Sequence, residues 1–422
     1  MSEKNIITEN GVNIYFYKNP SLHSFYISLF VKAGCMYEDD DIAGITHFFE
    51  HIAIRNVNRI YGMELYSLLD KKGIEFNATT YSEMVQFFVS GACPSFACGA
   101  KILTSVLSPI SLPKDQVDAE RRRIKAEIRE NGDRTSLASF TSKKVFDGTG
   151  LANSIIGTHK SIDRIGLLKL EEYRKSILGK DNIFFYVTGN FTDNDIEELK
   201  GLIEGYELSS DMANKNLAVV PKDFFDRKAR VHIKGADYTI ARFSFDLDTS
   251  RFSIAETDLI YDMLLSGYNA KLFIEMSEKR GLFYDISGSV DRYKNIGTLY
   301  FFFELQPKDL LETVRTTVEI LNSIKNPDNV CANDLKAGYV DNAYMLYDDS
   351  RELNFTFGYD NHVMDEKYSS VEERKQRYES ITSERLSEIA REIFRKENLT
   401  LTIKGNKKRI DTDSLEAILS EL

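Results

Sequence analysis

The predicted order of secondary-structure elements occurs twice in this chain of 422 residues. Residues 65–76 (LYSLLDKKGIEF) align with residues 273–284 (FIEMSEKRGLFY) at an offset of 208 residues, so that Gly73 matches Gly281. In both halves this helix–glycine–strand unit follows strands and a helix, and it leads into a strand rich in phenylalanine. An order of elements that repeats in this way indicates an internal duplication. The chain is therefore predicted to form two homologous domains.

The segment that follows residue 208 lacks a clear amphipathic period, which predicts a linker. We therefore expect an N-terminal domain over residues 1–208, a linker over residues 209–224 and a C-terminal domain over residues 225–422. Strands and helices are mixed but clustered, which favours an α+β fold with helices packed on one face of a largely antiparallel sheet. The 27 Phe and 22 Tyr supply enough apolar surface to exclude a disordered chain.

The overall charge and the apolar stretches narrow the classes of partner. With 54 Lys and Arg against 65 Asp and Glu, the net charge is -11, so general binding to nucleic acid or anionic membranes is disfavoured. The longest apolar stretches fall well short of the roughly 20 residues that span a bilayer. The N-terminus lacks the apolar core of a signal peptide, and four cysteines do not form a disulfide framework, so we expect a cytoplasmic protein.

The most specific chemical signal is the segment His47–His51, which reads HFFEH. Helical residues three and four positions apart share a face, so His47, Glu50 and His51 are expected to project together. Two imidazoles in this arrangement can bind one Zn²⁺, and the carboxylate beside them can act as a general base. H-x-x-E-H is the inverted form of a zinc-protease motif. The alternative, two solvated histidines beside a surface glutamate, leaves the spacing to coincidence.

A third metal ligand is expected elsewhere, because a catalytic zinc site has three protein ligands and one open position. Residues 113–133 predict a helix in which Glu120 and Glu127, two turns apart, fall on the apolar stripe formed by Val117, Ile124 and Ile128. A glutamate on a buried stripe is costly unless charged partners or a metal compensate it. The pattern alone leaves both compensations open.

Together these residues resemble the pitrilysin/insulinase metallopeptidases, and more closely their half-length branch similar to the mitochondrial processing peptidase. In that family a glutamate ligand follows the second histidine of H-x-x-E-H by 76 residues, which is Glu127 here. The resemblance implies one Zn²⁺ per chain held by His47, His51 and Glu127, with Glu50 as the general base and Glu120 supporting the ligands. Weaker matches lie at residues 44–53, 76–84, 155–162, 187–192 and 278–288, and the resemblance spans about residues 10–405.

The resemblance also implies residues that handle the substrate. The strand FNATTY, which begins at Phe76, matches the strand that receives a peptide as an added β-strand, with Asn77 and Ala78 as substrate-binding residues. An ordinary strand with an asparagine near its start is the alternative. Tyr284 matches a catalytic tyrosine that can donate a hydrogen bond to the oxyanion of the tetrahedral intermediate.

One position departs from the family pattern. Ser277 stands where the family has its first arginine, and Arg280 matches only the second one, which implies substrate binding. The second half carries no zinc triad, since Ala255 and Leu259 lie 208 residues after the two histidines.

The resemblance implies a zinc-dependent endopeptidase that hydrolyses short unfolded peptides inside a closed chamber, for degradation or for peptide maturation. Half-length members of the family enclose this chamber as homodimers, or as heterodimers of homologous chains in which one carries zinc and the other the Arg and Tyr. The alternative function is a non-catalytic or partner-dependent core subunit of the same fold. The sequence does not choose between the two kinds of dimer, and it does not name the peptide.

Overall fold

The structure is a computed structural model that describes residues 2–130, 135–208, 230–267, 269–282 and 286–422. The predicted linker and Tyr284 lie outside these ranges. The described residues divide into two compact units. The first contains those of Met1–Thr135, Phe146–Ala218 and Tyr344–Val371, and the second contains those of Ser136–Val145, Val219–Ala343 and Glu372–Leu422.

Strands and helices alternate in clusters along the described ranges. The strands are β1 (Lys4–Ile7), β2 (Asn13–Lys18), β3 (Ser24–Val31), β4 (Glu75–Thr80), β5 (Val85–Ala92), β6 (Ile183–Gly189), β7 (Arg230–Gly235), β8 (Thr239–Leu247), β9 (Ile286–Arg292), β10 (Gly297–Leu305) and β11 (Leu399–Gly405). The α-helices are α1 (Ile45–Ile60), α2 (Leu65–Lys72), α3 (Phe96–Thr104), α4 (Lys114–Glu130), α5 (Thr135–Val145), α6 (His159–Arg164), α7 (Leu167–Ile177), α8 (Asp193–Glu204), α9 (Ile254–Leu265), α10 (Lys271–Phe273), α11 (Leu310–Ser323), α12 (Ala332–Asp341), α13 (Ser350–His362), α14 (Val371–Glu379), α15 (Ser383–Ile393) and α16 (Thr412–Leu419). A π-helical turn, Ile274–Glu278, continues α10. This composition confirms the predicted α+β class.

The sheets of the two units have matching strand orders, except that the first sheet has an additional edge strand, β1. In the first unit the order is β1-β2-β6-β3-β5-β4, and in the second it is β7-β11-β8-β10-β9. Strands β2 and β6 are parallel, as are β7 and β11 at the matching place, whereas the other neighbours are antiparallel. The sheets are therefore largely antiparallel, as predicted, with one parallel pair in each.

Individual residues repeat along with the strand order. Asn182, just before β6, donates its side-chain amide to the carbonyl oxygens of Lys32 and Ile177. Asn398, just before β11, makes the equivalent two bonds in the second unit. Gly73 and Gly281, aligned from the sequence, both have left-handed backbones, with φ of 60° and 62°. These shared details confirm the predicted duplication.

A helix from a distant part of the sequence covers the second face of the first sheet. Alternate residues of β3 face opposite sides of the sheet, and Phe25, Ile27 and Leu29 belong to the core cluster that includes α1 and α3. On the other side, Ser28 donates to the side chain of Asn354 on α13 at 2.6 Å, and Asn354 donates to the carbonyl of Tyr186 at 2.8 Å. A Cβ at Gly358 of α13 would lie 2.8 Å from Phe30, so the helix approaches the sheet closely.

The second sheet has a matching helix from the N-terminal half of the sequence. Thr141 of α5 and Thr402 of β11 are hydrogen-bonded at 2.7 Å between their buried hydroxyls. The compact units thus differ from the contiguous ranges 1–208 and 225–422 by an exchange of α5 and α13. In each unit a helix that is distant in sequence packs against the second face of the sheet, where buried polar side chains such as Ser28 and Thr402 form hydrogen bonds with it.

Two further observations concern the cysteines and the length of the helices. Cys35, Cys93, Cys98 and Cys331 are free thiols. Among the helices of the described ranges, none has the length and apolar character needed to cross a bilayer.

Candidate metal and catalytic site

The HFFEH segment lies in the first two turns of α1, as predicted. Phe48, Phe49 and Ile52 are fully buried in the core of the first unit, so hydrophobic burial sets the rotation of this helix. His47 is 8% exposed, and Glu50 and His51 are half-buried. The helix therefore presents its two histidines and its glutamate together at the edge of the core.

Two glycines allow the chain to pack tightly where α1 begins. Gly44 has φ of 90°, and a Cβ there would lie 2.7 Å from the Cα of Gly157. A Cβ at Gly157, where φ is 72°, would lie 2.3 Å from the carbonyl oxygen of Ala43. Both positions need glycine, because any Cβ would overlap the opposing backbone. The matches at residues 44–53 and 155–162 thus meet in space and hold the start of α1.

A buried carboxylate caps the same end of α1. Glu38 accepts hydrogen bonds from the backbone N–H groups of Gly44 and Thr46, at 2.7 and 2.9 Å. These groups would otherwise lack partners, and the helix dipole favours negative charge at this end. Burial raises the pKa of Glu38, and the hydrogen bonds from Thr46 and Gly44 oppose that rise. Glu38 therefore helps to fix the direction in which α1 leaves the loop.

Helix α4 carries the two glutamates predicted on its apolar stripe. Val117 and Ile124 are buried in the core, and Glu120 between them is only 4% exposed. Glu127 lies two turns further on and is half-buried. Because α4 packs against α1, both carboxylates reach the histidine pair.

The histidines and Glu127 converge as a set of metal ligands. One ligand atom from each of His47, His51 and Glu127 lies within 4.8 Å of the other two. The Nε2 atoms of His47 and His51 are each 3.8 Å from a carboxylate oxygen of Glu127. Burial, together with the neighbouring His51, lowers the pKa of His47 to about 4, so its imidazole is neutral at pH 7. Two imidazoles and one carboxylate are a donor set that fits Zn²⁺ with an open position.

Glu120 supports this set from behind. Its Oε2 lies 3.2 Å from Nδ1 of His51, and its Oε1 accepts a hydrogen bond of 2.6 Å from Arg55. Burial opposes ionisation of Glu120, but the hydrogen bonds from His51 and Arg55 outweigh it and lower the pKa of the carboxyl. An ionised Glu120 favours the tautomer with hydrogen on Nδ1, which leaves Nε2 of His51 free to bind a metal. Charged partners, one of the two compensations considered for the buried stripe, are thus present at Glu120, while Glu127 lies within the candidate set of metal ligands.

We expect the Arg55→Ala substitution to weaken zinc binding by about 10- to 100-fold, because outer-shell partners orient the ligands. Without Arg55 the buried Glu120 loses its closest cation. The measurement is competition for zinc against a chelator of known affinity. Arg59→Ala, an exposed arginine one turn later on α1, is the matched control. Equal zinc affinity in both variants would contradict a supporting role for Arg55.

The general-base candidate contacts the edge strand β4. The hydroxyl of Thr80, the last residue of β4, donates a hydrogen bond to Oε2 of Glu50. Ala78 lies on the same half-buried face of the strand and packs against the core. Asn77 lies on the exposed face, where its side-chain oxygen accepts from the N–H of Ala78 at 2.9 Å. Strand β4 is the last in its sheet, so its outer edge is open among the described residues.

Arg280, which is predicted to bind substrate, and Ser277, which replaces the family arginine, lie in the second unit. Arg280 donates to the hydroxyl of Thr316 at 2.9 Å and lies 3.8 and 3.7 Å from the carboxylates of Glu312 and Glu319 on α11. Ser277 lies in the π-helical turn that continues α10. The predicted roles of Arg280 in substrate binding and of Tyr284 in catalysis stay predictions.

Three residues of the site, Arg55, Glu38 and Thr80, were not predicted from the sequence. Arg55 carried a usable signal, because it lies four residues after His51 and hence on the same helical face. Glu38 and Thr80 carried none, since their contacts with α1 depend on how a loop and a strand pack against that helix.

Comparison with known proteins identifies the family. Residues 14–159 match the family described as Insulinase (Peptidase family M16), and residues 164–337 match the Peptidase M16 inactive domain. The chain belongs to peptidase family M16. It is 20% identical over 396 residues to the uncharacterized zinc protease YmxG of Bacillus subtilis, covering 93% of this chain and 95% of that protein.

Solved structures share the fold. A protease from Helicobacter pylori superposes with a TM-score of 0.83 at 14% identity, over 96% of this chain and 99% of that one. A chain of complex III2 from Candida albicans superposes with a TM-score of 0.79 at 13% identity, over 99% of both chains. At this identity the likeness concerns the fold alone.

Proposed function

We propose that this chain is a zinc-dependent endopeptidase that cleaves short unfolded peptides. The observation that carries the proposal is the convergence of His47, His51 and Glu127, with Glu50 beside them on α1. The relatives named as zinc proteases support it. The complete ligand set supports it as well, because a scaffold has no physical need for one.

The chemistry assigns one role to each side chain. Zinc held by His47, His51 and Glu127 would polarise a peptide carbonyl and activate water. As the water oxygen bonds to the carbonyl carbon, Glu50 accepts the proton that the water loses. Glu50 then transfers this proton to the leaving amine. The C–N bond breaks in this second step. Tyr284 is proposed to donate a hydrogen bond to the oxyanion.

The open edge of β4 is the proposed place for the substrate. A peptide that pairs with this edge is held through its main chain, so many sequences can bind in an extended conformation. Asn77 and Ala78 on β4 are the proposed substrate contacts, and Arg280 is a further one. Extended pairing requires an unfolded peptide, which agrees with an enzyme that accepts short or unfolded substrates.

The decisive experiment is to purify the chain, measure bound zinc and incubate it with a library of short peptides. Zinc at about one ion per chain and cleavage that stops on chelation would support the proposal. A zinc-free chain that leaves the whole library intact, alone and with a homologous chain, would refute it.

The second candidate is a partner-dependent or non-catalytic core subunit. Ser277 favours partner dependence, because serine cannot replace the charge and the paired hydrogen bonds of an arginine. We propose that the active form is a dimer enclosing a chamber, made either of two copies of this chain or of this chain and a homologue. A cytoplasmic location suits the free thiols.

We expect the chain alone to be a weak peptidase and a homologous chain with both the Arg and the Tyr to raise the rate by about 10²–10³, the value of one oxyanion contact. The measurement compares the chain alone, the Tyr284→Phe variant and each of them mixed with the homologue. Strong activity of the chain alone that falls sharply in Tyr284→Phe, with no gain on mixing, would contradict partner dependence and indicate a homodimer.

A further inference from the structure

We infer that Thr80 is a positioning residue, whose hydroxyl holds the Glu50 carboxylate in its reactive orientation and couples it to the substrate-binding strand. The inference rests on the proposed peptidase function. It concerns a contact between two residues that lie 30 positions apart in the sequence, on β4 and on α1.

The contact holds one carboxylate oxygen and leaves the other available. Thr80 donates its hydroxyl hydrogen to Oε2 of Glu50. No other hydrogen bond to this carboxylate is formed within the ranges that the structure describes. A glutamate side chain has several rotatable bonds, so a single fixed oxygen restricts the direction of the second one. The remaining oxygen, Oε1, is therefore the one that can accept the proton during hydrolysis.

The strand itself is rigid enough to serve as a support. Thr80 pairs with Val85 in the antiparallel ladder between β4 and β5, and Val85 is fully buried. Phe76 and Ala78, on the same face of β4 as Thr80, pack against the core that also contains α1. A side chain mounted on a paired strand varies less in position than one mounted on a loop. Through its hydrogen bond, Thr80 thus fixes the Glu50 carboxylate relative to the backbone of β4.

The same backbone would position the substrate. A peptide paired with the outer edge of β4 takes its register from that strand, and Thr80 gives Glu50 its orientation from the same strand. The positions of the scissile bond and of the Glu50 carboxylate are then both set by β4. A misplacement of about 1 Å between reacting groups can cost about 10²-fold in rate, so loss of the Thr80 contact is expected to change kcat more than KM.

The test compares Thr80→Ser with Thr80→Ala, two variants that differ by one oxygen atom. We expect Thr80→Ser to keep kcat within about twofold of the original chain, and Thr80→Ala to lower kcat by about 10- to 100-fold. Zinc content and KM are expected to stay close to those of the original chain in both variants. Equal kcat for the two variants would overturn the inference. If Thr80→Ala does not fold, Thr80→Val, which preserves the branched shape, takes its place.

A second measurement tests the contact without using activity. The free energy of unfolding of the zinc-free protein is measured for the original chain, Thr80→Ala, Glu50→Ala and the double variant. The control is the same set of variants with Thr79→Ala in place of Thr80→Ala, because Thr79 lies on the opposite face of β4. Non-additive losses for the Thr80 and Glu50 pair, beside additive losses for the Thr79 and Glu50 pair, support a direct contact. Additive losses in both pairs overturn it. A chain that shows this coupling but cleaves no peptide refutes the proposed function and retains the Thr80–Glu50 contact.

Discussion

Replacing Glu50 with glutamine is expected to leave about one zinc ion per chain and to lower kcat by about 10²–10⁴-fold, the usual contribution of a general base. Glutamine has nearly the same size, so the packing of α1 and the three ligands are preserved. Its amide can still accept the hydrogen bond from Thr80, but it cannot take up the proton that water must lose. The measurement is the steady-state rate of peptide cleavage together with the zinc content of the same sample.

The zinc content separates loss of the base from loss of the site. A Glu50→Gln sample that has lost both zinc and activity would place Glu50 among the groups that hold the metal. A sample that keeps zinc and hydrolyses peptides at nearly the original rate would show that another group accepts the proton.

Removing either His51 or Glu127 is expected to lower bound zinc from about one ion per chain to below about a tenth of that, because two protein ligands remain where three are needed. Hydrolysis is expected to disappear with the metal. The measurement is metal analysis of His51→Ala and Glu127→Ala after dialysis. These substitutions shorten partly exposed side chains at the edge of the core, so the folded unit should persist.

Glu130→Ala is the matched control for Glu127→Ala. Glu130 lies on the same helix, α4, three residues further on, and it is exposed. It is expected to keep the full zinc content. Full zinc occupancy in both His51→Ala and Glu127→Ala would refute the assignment of the ligands.

Much of the site could be predicted because its geometry is local to single helices. A helix repeats every 3.6 residues, so the spacing of His47, Glu50 and His51 places them on one face wherever the helix packs. The same argument put Glu120 and Glu127 on one stripe of α4, and the structure brings both to the histidines. The family spacing joined the two helices, which periodicity alone could not do.

The duplication was also readable from the sequence, but the boundaries of the compact units were not. The order of strands and the paired Gly73 and Gly281 reflect local turns and patterns, which each half repeats. The exchange of α5 and α13 between the units depends on contacts that are distant in sequence. Asn354 of α13 donates a hydrogen bond to Tyr186, and Gly358 lies against Phe30. No local sequence pattern predicts such partners.

The sequence by itself determined the class of fold, the family and the candidate metal ligands, because each follows from the spacing of residues within a helix or from their order along the chain. Only the tertiary structure decided that Glu38 caps α1, that Arg55 neutralises Glu120 and that Thr80 holds Glu50. These contacts join separate elements, and their existence depends on the angles and distances at which α1, α4 and β4 pack. Packing of this kind is set by the whole core of the unit, so it cannot be predicted from any one segment of the sequence.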